Sequence, residues 1–523
     1  MTGGRVGTPT ALFLAVACAA ALASDGARTA PAGAMVVAQV PVGPAGSALA
    51  GATLRAVSGE GGRLVLVSPG GQARALTPGF QSAADPEVSF DGRSILFAGK
   101  KAAQDPWCVF EMKADGGEPR QVTCGAGGAR QPVYLSTVYT ITPTSVEPWV
   151  QVAFVGDLPG ERDEAGKAPH TSLWSCKMDG SALRRLTFNL SSDRDPVILP
   201  DGRMVYAGWL RSPGREPADR VALLGVNEDG TDYQAYSGEQ GLRAKRAPVP
   251  TASGLVVFVE SERVDFDGAG RLAAVSQARP LHTYRSLTGE GDGLFRAPSA
   301  LPDGRVLVAW RPTSGEGRFG IYRFDPSTGG REKTFEDPAW HSVQAKLVAP
   351  RPVPDARSSV VRDDDPEGKL FTIDVGIQAP GRELPKGTAK SLRVVEGVPA
   401  TADRPVVRRL LGEVELADDG SYQVQIPANT PVQLELLDAS GSPVRTSAWV
   451  WVRNHAAQGC VGCHEDPERT PPNRLMKALQ APAPVLNPPP EKRRTLTDAS
   501  GGPPPSAAEV REFVQSIDAG GQP

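Results

Sequence analysis

The 523-residue chain has no excess of charge of one sign: Lys and Arg total 56 against 59 Asp and Glu, a formal net charge of −3. There is no global basic field, so nucleic acid is not an expected partner. Nor does the N-terminus offer a bilayer span, because its apolar run, Ala11 to Ala23, is too short to cross one. Histidine is scarce, with 5 in all. His170, His282 and His341 are scattered, with no nucleophile motif around them, so no hydrolytic constellation is expected.

Glycine and proline are plentiful, at 58 and 49. That balance favours many turns between short strands over long helices. The length allows two or three domains. The N-terminal run is followed by a polar stretch, the layout of a secretory signal over residues 1–23, with cleavage after Ala21 to Ala23. Cys18 in "AVAC" offers a rival reading, a lipid anchor, and that would be the chain's only tie to a membrane. Either route predicts a periplasmic or extracellular location, where thioether-linked haem and disulfides can both form. Residues 24–55 read as a flexible segment.

Two families of segments alternate through the first two thirds. One reads "DPEVSFDGRSILFAG" (85–99), "DPVILPDGRMVYAGW" (195–209), "APVPTASGLVVFVES" (247–261) and "APSALPDGRVLVAWR" (297–311), with a diverged member from "QPVYL" (131–135) to "WVQVAFVG" (149–156). The other includes "CVFEMKADGGEPRQVT" (108–123) and "LWSCKMDGSALRRLT" (173–187). Each is an extended stretch, a turn marked by Asp-Gly or its like, and a strand, which makes a hairpin. The recurring proline sits at the start of the first strand, where a missing N–H is tolerated. Two hairpins make one four-stranded blade, and the count predicts a six-bladed β-propeller over 56–352, closed by N-terminal strands that complete the last blade. Cys108 and Cys124 flank one hairpin turn, either as a disulfide or as two buried thiols. Cys176 has no assigned role.

Residues 353–369 read as an acidic, Pro-containing linker. Asp363 to Asp365 and "VDFDGAG" (264–270) are expected to be exposed turns, since neither continues into a calcium-ligand series. Strand-like runs at 370–377, 391–398, 411–416, 421–428, 431–438 and 447–453 predict a β-sandwich-like middle domain over 370–453. On the last run Trp449, Trp451 and Arg453 alternate onto one face. That face is expected either to pack on a porphyrin with Arg453 near a propionate, or to belong to an ordinary core.

Residues 459–465 read "GCVGCHE". Cys-x-x-Cys-His in an exported chain predicts one covalently attached haem c, held by Cys460 and Cys463, with His464 as an axial ligand to iron. Positions i, i+3 and i+4 share one face of a helical turn, so two thiols and an imidazole can reach one porphyrin. Zinc would need a second nearby Cys/His pair, which the sequence lacks. Met476 and His455 are the sequence-near candidates for the other axial position, and an open position is the third choice. A Met/His pair raises the reduction potential, while an open site admits small ligands. The haem-binding segment is placed at 454–480, as a short, partly helical piece. A Pro-rich tail with an amphipathic stretch at 506–517 follows.

The propeller segments resemble TolB-type repeats, in which "DPxxSPDG" leads to a strand and a "DGxxxRxLT" turn. The stretch "DDGSYQVQIPANTPVQLELLDASGSPVRTSAWVWVRNHAAQGCVGCHEDPERTPP" resembles the middle-domain region of the hydrazine synthase alpha subunit and its related proteins, which also carry an N-terminal TolB-type propeller. The resemblance covers most of the mature chain and implies covalent haem at Cys460 and Cys463. It departs in "RNHAAQG" before the motif and in having no second CxxCH, so hydrazine synthesis itself is not the expectation. Three functions follow: a monohaem electron-transfer protein with a redox partner protein docked on the propeller, an oxidoreductase acting on small nitrogen or oxygen species, or a TolB-like envelope binding module.

Overall fold

The computed structural model describes residues 1, 30, 32–42 and 60–496, apart from 142–145, 167, 212–218, 264–268, 315–316, 379–383, 461–467, 469–470 and 472. The signal segment, Cys18 and the 506–517 stretch lie outside the described residues.

The hairpin segments fold into five sheets: three of four strands, one of five, and one of eight built from two four-stranded halves. Ser82–Val88, Ser94–Lys100, Cys108–Lys113 and Arg120–Thr123 form one. Ala129–Ile141, Val146–Arg162, Pro169–Lys177 and Arg184–Arg185 form the next, with Arg357–Ser359 added in parallel at its edge. Asp193–Ile198 opens one half of the eight-stranded sheet and Ala244–Pro250 the other, and one parallel contact, Val221 with Ala244, joins the two. Leu294–Ala300 opens the four-stranded sheet that follows. The closing sheet is composite: Trp340–Leu347 pairs with Met35–Pro41, which pairs with Arg63–Val67 and then Ala73–Ala75. The first strand of each sheet touches the first strand of the next, and this cycle returns to its start. The N-terminal strand is fixed in the ring, so the segment read as flexible at 24–55 contains the strand that closes it. Closure removes two exposed sheet edges.

The recurring proline has a specific use. Asp85, Gln131, Asp195, Ala247 and Ala297, each followed by proline, all have positive φ, between 42° and 56°. Each sits where the pairing register of its strand shifts, between Ala84 and Glu87, Arg130 and Val133, Arg194 and Val197, Arg246 and Val249, and Arg296 and Ser299. The bulge turns one N–H out of the ladder, and the proline after it has none to lose. The freed N–H groups find side chains on the preceding blade. Asp85 N–H donates to Gln344 Oε1 (3.1 Å), Gln131 N–H to Asp85 Oδ2 (3.1 Å), Asp195 N–H to Gln131 Oε1 (3.0 Å) and Ala247 N–H to Asp195 Oδ2 (3.1 Å). These bonds run from blade to blade around the axis and hold the inner strands in register.

Cys108 and Cys124 form a disulfide. Cys176 is buried, and burial pushes its thiol up to about 12, so it is an inert packing residue.

The middle domain is two sheets face to face. One pairs Tyr422–Pro427, Glu367–Thr372 and Ala457–Cys460; the other pairs Val407–Glu415, Ser391–Val398, Val432–Leu437 and Pro443–Thr446. Leu370, Val424 and Ile426 from the first meet Leu392, Val394, Leu411, Val432 and Leu436 from the second in one core.

Candidate functional site

The 447–453 run is not a sheet strand. It is an extended segment tied to its neighbours by one bridge, Val432 with Val450. Its alternation is nonetheless real, and it faces two cores at once. Val452 joins the middle-domain core, whereas Trp451 joins a propeller core containing Leu135, Leu173, Phe188 and Tyr206. Trp451 is 1% exposed and its ring lies 4.3 Å from that of Tyr233 and 6.4 Å from that of Phe188. Trp449 Nε1 donates to Glu164 Oε1 (3.1 Å), and Ser191 Oγ donates to Glu164 Oε2 (2.7 Å). Arg453 is buried and donates to the Arg185 carbonyl (3.0 Å) and to Asn429 Oδ1 (2.7 Å). The face that the sequence offered to a porphyrin is therefore filled by the propeller. A Cβ added to Gly397 would stand 2.3 Å from Leu190 and 2.7 Å from Trp449, which shows how closely the two bodies approach.

Beneath this contact lies a buried polar cluster. His170 is fully buried between Glu161 Oε2 (2.9 Å from Nδ1) and the Asn189 carbonyl (2.6 Å from Nε2). Asp193 is also fully buried, and burial pushes its carboxyl up to about 6 despite hydrogen bonds from Thr187 and Asn189. His341 lies elsewhere, hydrogen-bonded to the Phe319 N–H (3.2 Å).

The candidate haem segment begins on Ala457–Cys460, a parallel strand at the edge of the first middle-domain sheet, in which Cys460 pairs with Thr372. Cys460 is half-buried at the end of that strand. The helical turn expected over the motif falls, beyond Cys460, on residues outside those described. Cys463 and His464 lie outside the described residues. Both flanks of the motif reach the propeller. Gln458 Nε2 donates to the Tyr233 carbonyl (3.3 Å). Glu468 accepts from the Leu281 N–H (2.6 Å) and from Arg279 Nε (3.3 Å), with His282 Nε2 at 3.9 Å. The turn that carries His282 is thus brought beside Glu468, a placement that sequence separation hides.

The two proposed axial ligands are placed differently. His455 has φ of 63°, and its Nδ1 meets Asp365 Oδ2 at 2.8 Å. Its N–H donates to the Glu367 carbonyl, at the start of the strand whose end faces Cys460. Five residues of extended chain separate those ends, about 16 Å. Met476 is half-buried and immediately precedes the 3-10 turn Lys477–Gln480. Two residues earlier, Arg474 donates to the Ile373 carbonyl (3.1 Å), and Ile373 N–H donates to the Cys460 carbonyl (3.4 Å). Met476 therefore belongs to the Cys460 end of the sheet and His455 to the other end.

Of the two acidic turns, 264–268 lies outside the described residues, and in 363–365 two carboxylates are paired. Asp363 pairs with Arg184 and Asp365 with His455. Among the described residues, no group of three or more His, Cys, Asp or Glu side chains gathers as metal ligands. No described helix is long and apolar enough to cross a membrane.

Residues 384–465 match the family described as the hydrazine synthase alpha subunit middle domain, a span that includes Cys460, Cys463 and His464. Hydrazine synthase subunit alpha of Kuenenia stuttgartiensis is 25% identical over 81% of this chain. This chain is related to the hydrazine synthase alpha subunit. It spans 64% of that relative's length. The solved Kuenenia stuttgartiensis hydrazine synthase has the same fold, with a TM-score of 0.75 and 23% identity, covering 86% of this chain and 72% of that one. TolB from Acinetobacter baumannii aligns at a TM-score of 0.39 and 13% identity over 62% of this chain and 67% of that one. The relationship to the hydrazine synthase alpha subunit therefore extends over propeller and middle domain together.

Proposed function

We propose that this chain is an exported c-type haem protein that passes electrons to or from a partner protein docked on its propeller. One observation carries the reading: the CxxCH motif ends the matched middle domain, and both its flanks, Gln458 and Glu468, are tied to propeller turns. Ties on both sides of the motif would let the larger body hold a prosthetic group at its surface. Cys460 is half-buried at the end of its strand. Cys460 and Cys463 would hold haem c and His464 its iron, and the haem would supply one-electron chemistry. Met476 is the favoured second axial ligand, because it stands at the Cys460 end of the sheet while His455 is engaged by Asp365. The Cys108–Cys124 disulfide is in keeping with an oxidising compartment and hence with export.

A second reading, a haem enzyme acting on a small nitrogen species, is supported by the relative's identity as a hydrazine synthase subunit. Carbon monoxide added to the reduced protein separates the two. An unchanged six-coordinate spectrum supports electron transfer, with its Met476→Ala variant gaining a carbon monoxide band. Immediate binding by the wild type supports the enzyme and removes Met476 as a ligand.

A further inference from the structure

The histidine buried beneath the domain contact has a use that the haem reading does not absorb. His170 is 0% exposed, and both of its ring nitrogens face acceptors. Nδ1 lies 2.9 Å from Glu161 Oε2, and Nε2 lies 2.6 Å from the Asn189 carbonyl. A neutral imidazole has one N–H and one lone pair, so it satisfies only one of these partners. An imidazolium has two N–H groups and satisfies both. Glu161 supplies the counter-charge. Burial raises its carboxyl, but the hydrogen bond and charge of His170, with Arg185, hold it below the usual carboxylate range. Were the proton on Glu161 instead, the pair would still hold it.

The two partners of the ring belong to the two segments by which this blade grips the middle domain. Glu161 adjoins Arg162, whose N–H donates to the Ala400 carbonyl (2.8 Å). Three residues after Glu161, Glu164 accepts from Trp449 Nε1 (3.1 Å). Asn189 adjoins Leu190, which meets Gly397 so closely that a Cβ there would stand 2.3 Å from Leu190 Cδ1. Asn189 Oδ1 accepts from the Ser191 N–H (3.2 Å), and Ser191 Oγ donates to Glu164 Oε2 (2.7 Å). His170 therefore ties 161–164 to 189–191, and Gly397, Ala400 and Trp449 of the middle domain rest on that pair of segments.

The charged groups around the ring come from both bodies. Glu161, on the neighbouring strand, and Asp193, on the first strand of the next blade, both favour its proton. Arg185 faces these two carboxylates, and Arg453 of the middle domain acts on Arg185 by like charge. Beyond Glu161, Asp163 accepts from the Ala168 N–H (3.1 Å), and Glu164 is engaged by Trp449 and Ser191.

We propose that His170 is a proton-operated clasp between the propeller and the middle domain: with its proton the ring holds Glu161 and Asn189 together and the domains stay joined, and without it one of those acceptors faces a lone pair and the contact loosens. An acceptor left buried without a donor is costly, and the site recovers only by letting water in. The joined state holds a proton that the loosened state releases, so the union is tightest while the ring is charged and weakens as pH rises. Cys460 belongs to the middle domain, so the clasp governs how firmly the candidate haem segment is held. The clasp itself is independent of the haem reading and would stand if that failed.

The test is a pH series on the mature chain, from neutral to alkaline, with two readouts. Long-range proton–nitrogen correlation spectra report the protonation of each imidazole, and the His170 signal is the one missing from His170→Gln. Trypsin cleavage within 353–369, normalised to a peptide substrate at each pH, reports the union of the domains. At neutral pH His170 should show two protonated nitrogens. As pH rises one proton should be lost, and over the same interval cleavage should accelerate about tenfold, the loss of one buried hydrogen bond. Glu161→Gln offers the ring an N–H in place of a carboxylate, so a neutral ring then satisfies both partners. In that variant, verified as folded by circular dichroism, His170 should lose its proton at a lower pH, and cleavage should stay level across the wild-type interval. A neutral His170 in the wild type at neutral pH would overturn the proposal. So would cleavage that does not follow the His170 titration, or a folded Glu161→Gln protein that titrates as the wild type does.

Discussion

Replacing Trp451 with Ala tests whether the tryptophan face joins the two domains or serves a haem. The side chain is 1% exposed and packs among Leu135, Leu173, Phe188 and Tyr206 of the propeller, with the Tyr233 ring tilted against it. A buried aromatic removes about 150–250 Å² from water, worth roughly 4–6 kcal/mol at about 25 cal/mol per Å² as an upper bound. Truncations of buried aromatics cost about 3–5 kcal/mol, and that is the expected loss here. It should fall on the union of the two bodies. Urea unfolding followed by circular dichroism should therefore show the middle domain separating before the propeller melts, and proteolysis within 353–369 should accelerate. Any haem signal should keep its wavelength while the protein stays folded. A Trp451→Ala protein of unchanged stability with a shifted Soret band would refute this, because it would put the ring on the porphyrin.

Three further outcomes follow from the same geometry. Arg453→Gln should lose its bonds to the Arg185 carbonyl and Asn429 and destabilise the fold by about 1–3 kcal/mol, while a haem potential measured by redox titration stays unchanged. Burial pushes Asp193 up to about 6 and Glu228 up to about 7. Their folded forms hold protons that the unfolded chain, with carboxyls near 4, has released, so stability falls as pH rises from about 4 through 7. Asp193→Asn should flatten the Asp193 part of that slope between about 4 and 6 in melts across pH, and an unaltered slope would contradict it. Cys124→Ser opens a link across 16 residues and should cost about 3 kcal/mol in urea unfolding under oxidising conditions, with no such difference under reducing ones.

Much of the architecture is legible in the sequence because hairpins announce themselves. Asp-Gly turns such as 201–202 and 303–304 stand between strands whose apolar residues face blade cores, and both signals are local. The closing strand is different. "MVVAQVP" has no turn partner nearby, and its pairing with Trp340–Leu347 spans some three hundred residues, so only the folded ring reveals it. At 447–453 the alternation gives the correct face but not the body it meets. A period of two says that Trp449 and Trp451 point together; that they point into the propeller depends on how the domains dock. The turn at 279–282 became part of the candidate site only through Glu468, far along the chain.

The central claim is covalent haem on Cys460 and Cys463. It is tested most directly by the pyridine haemochrome spectrum of the mature protein, expressed with a cytochrome c maturation system and read alongside its intact mass. The account predicts a c-type band and the mass increment of one haem, both lost in Cys463→Ala. A mature, folded protein without the band and at the mass of the bare polypeptide would contradict it.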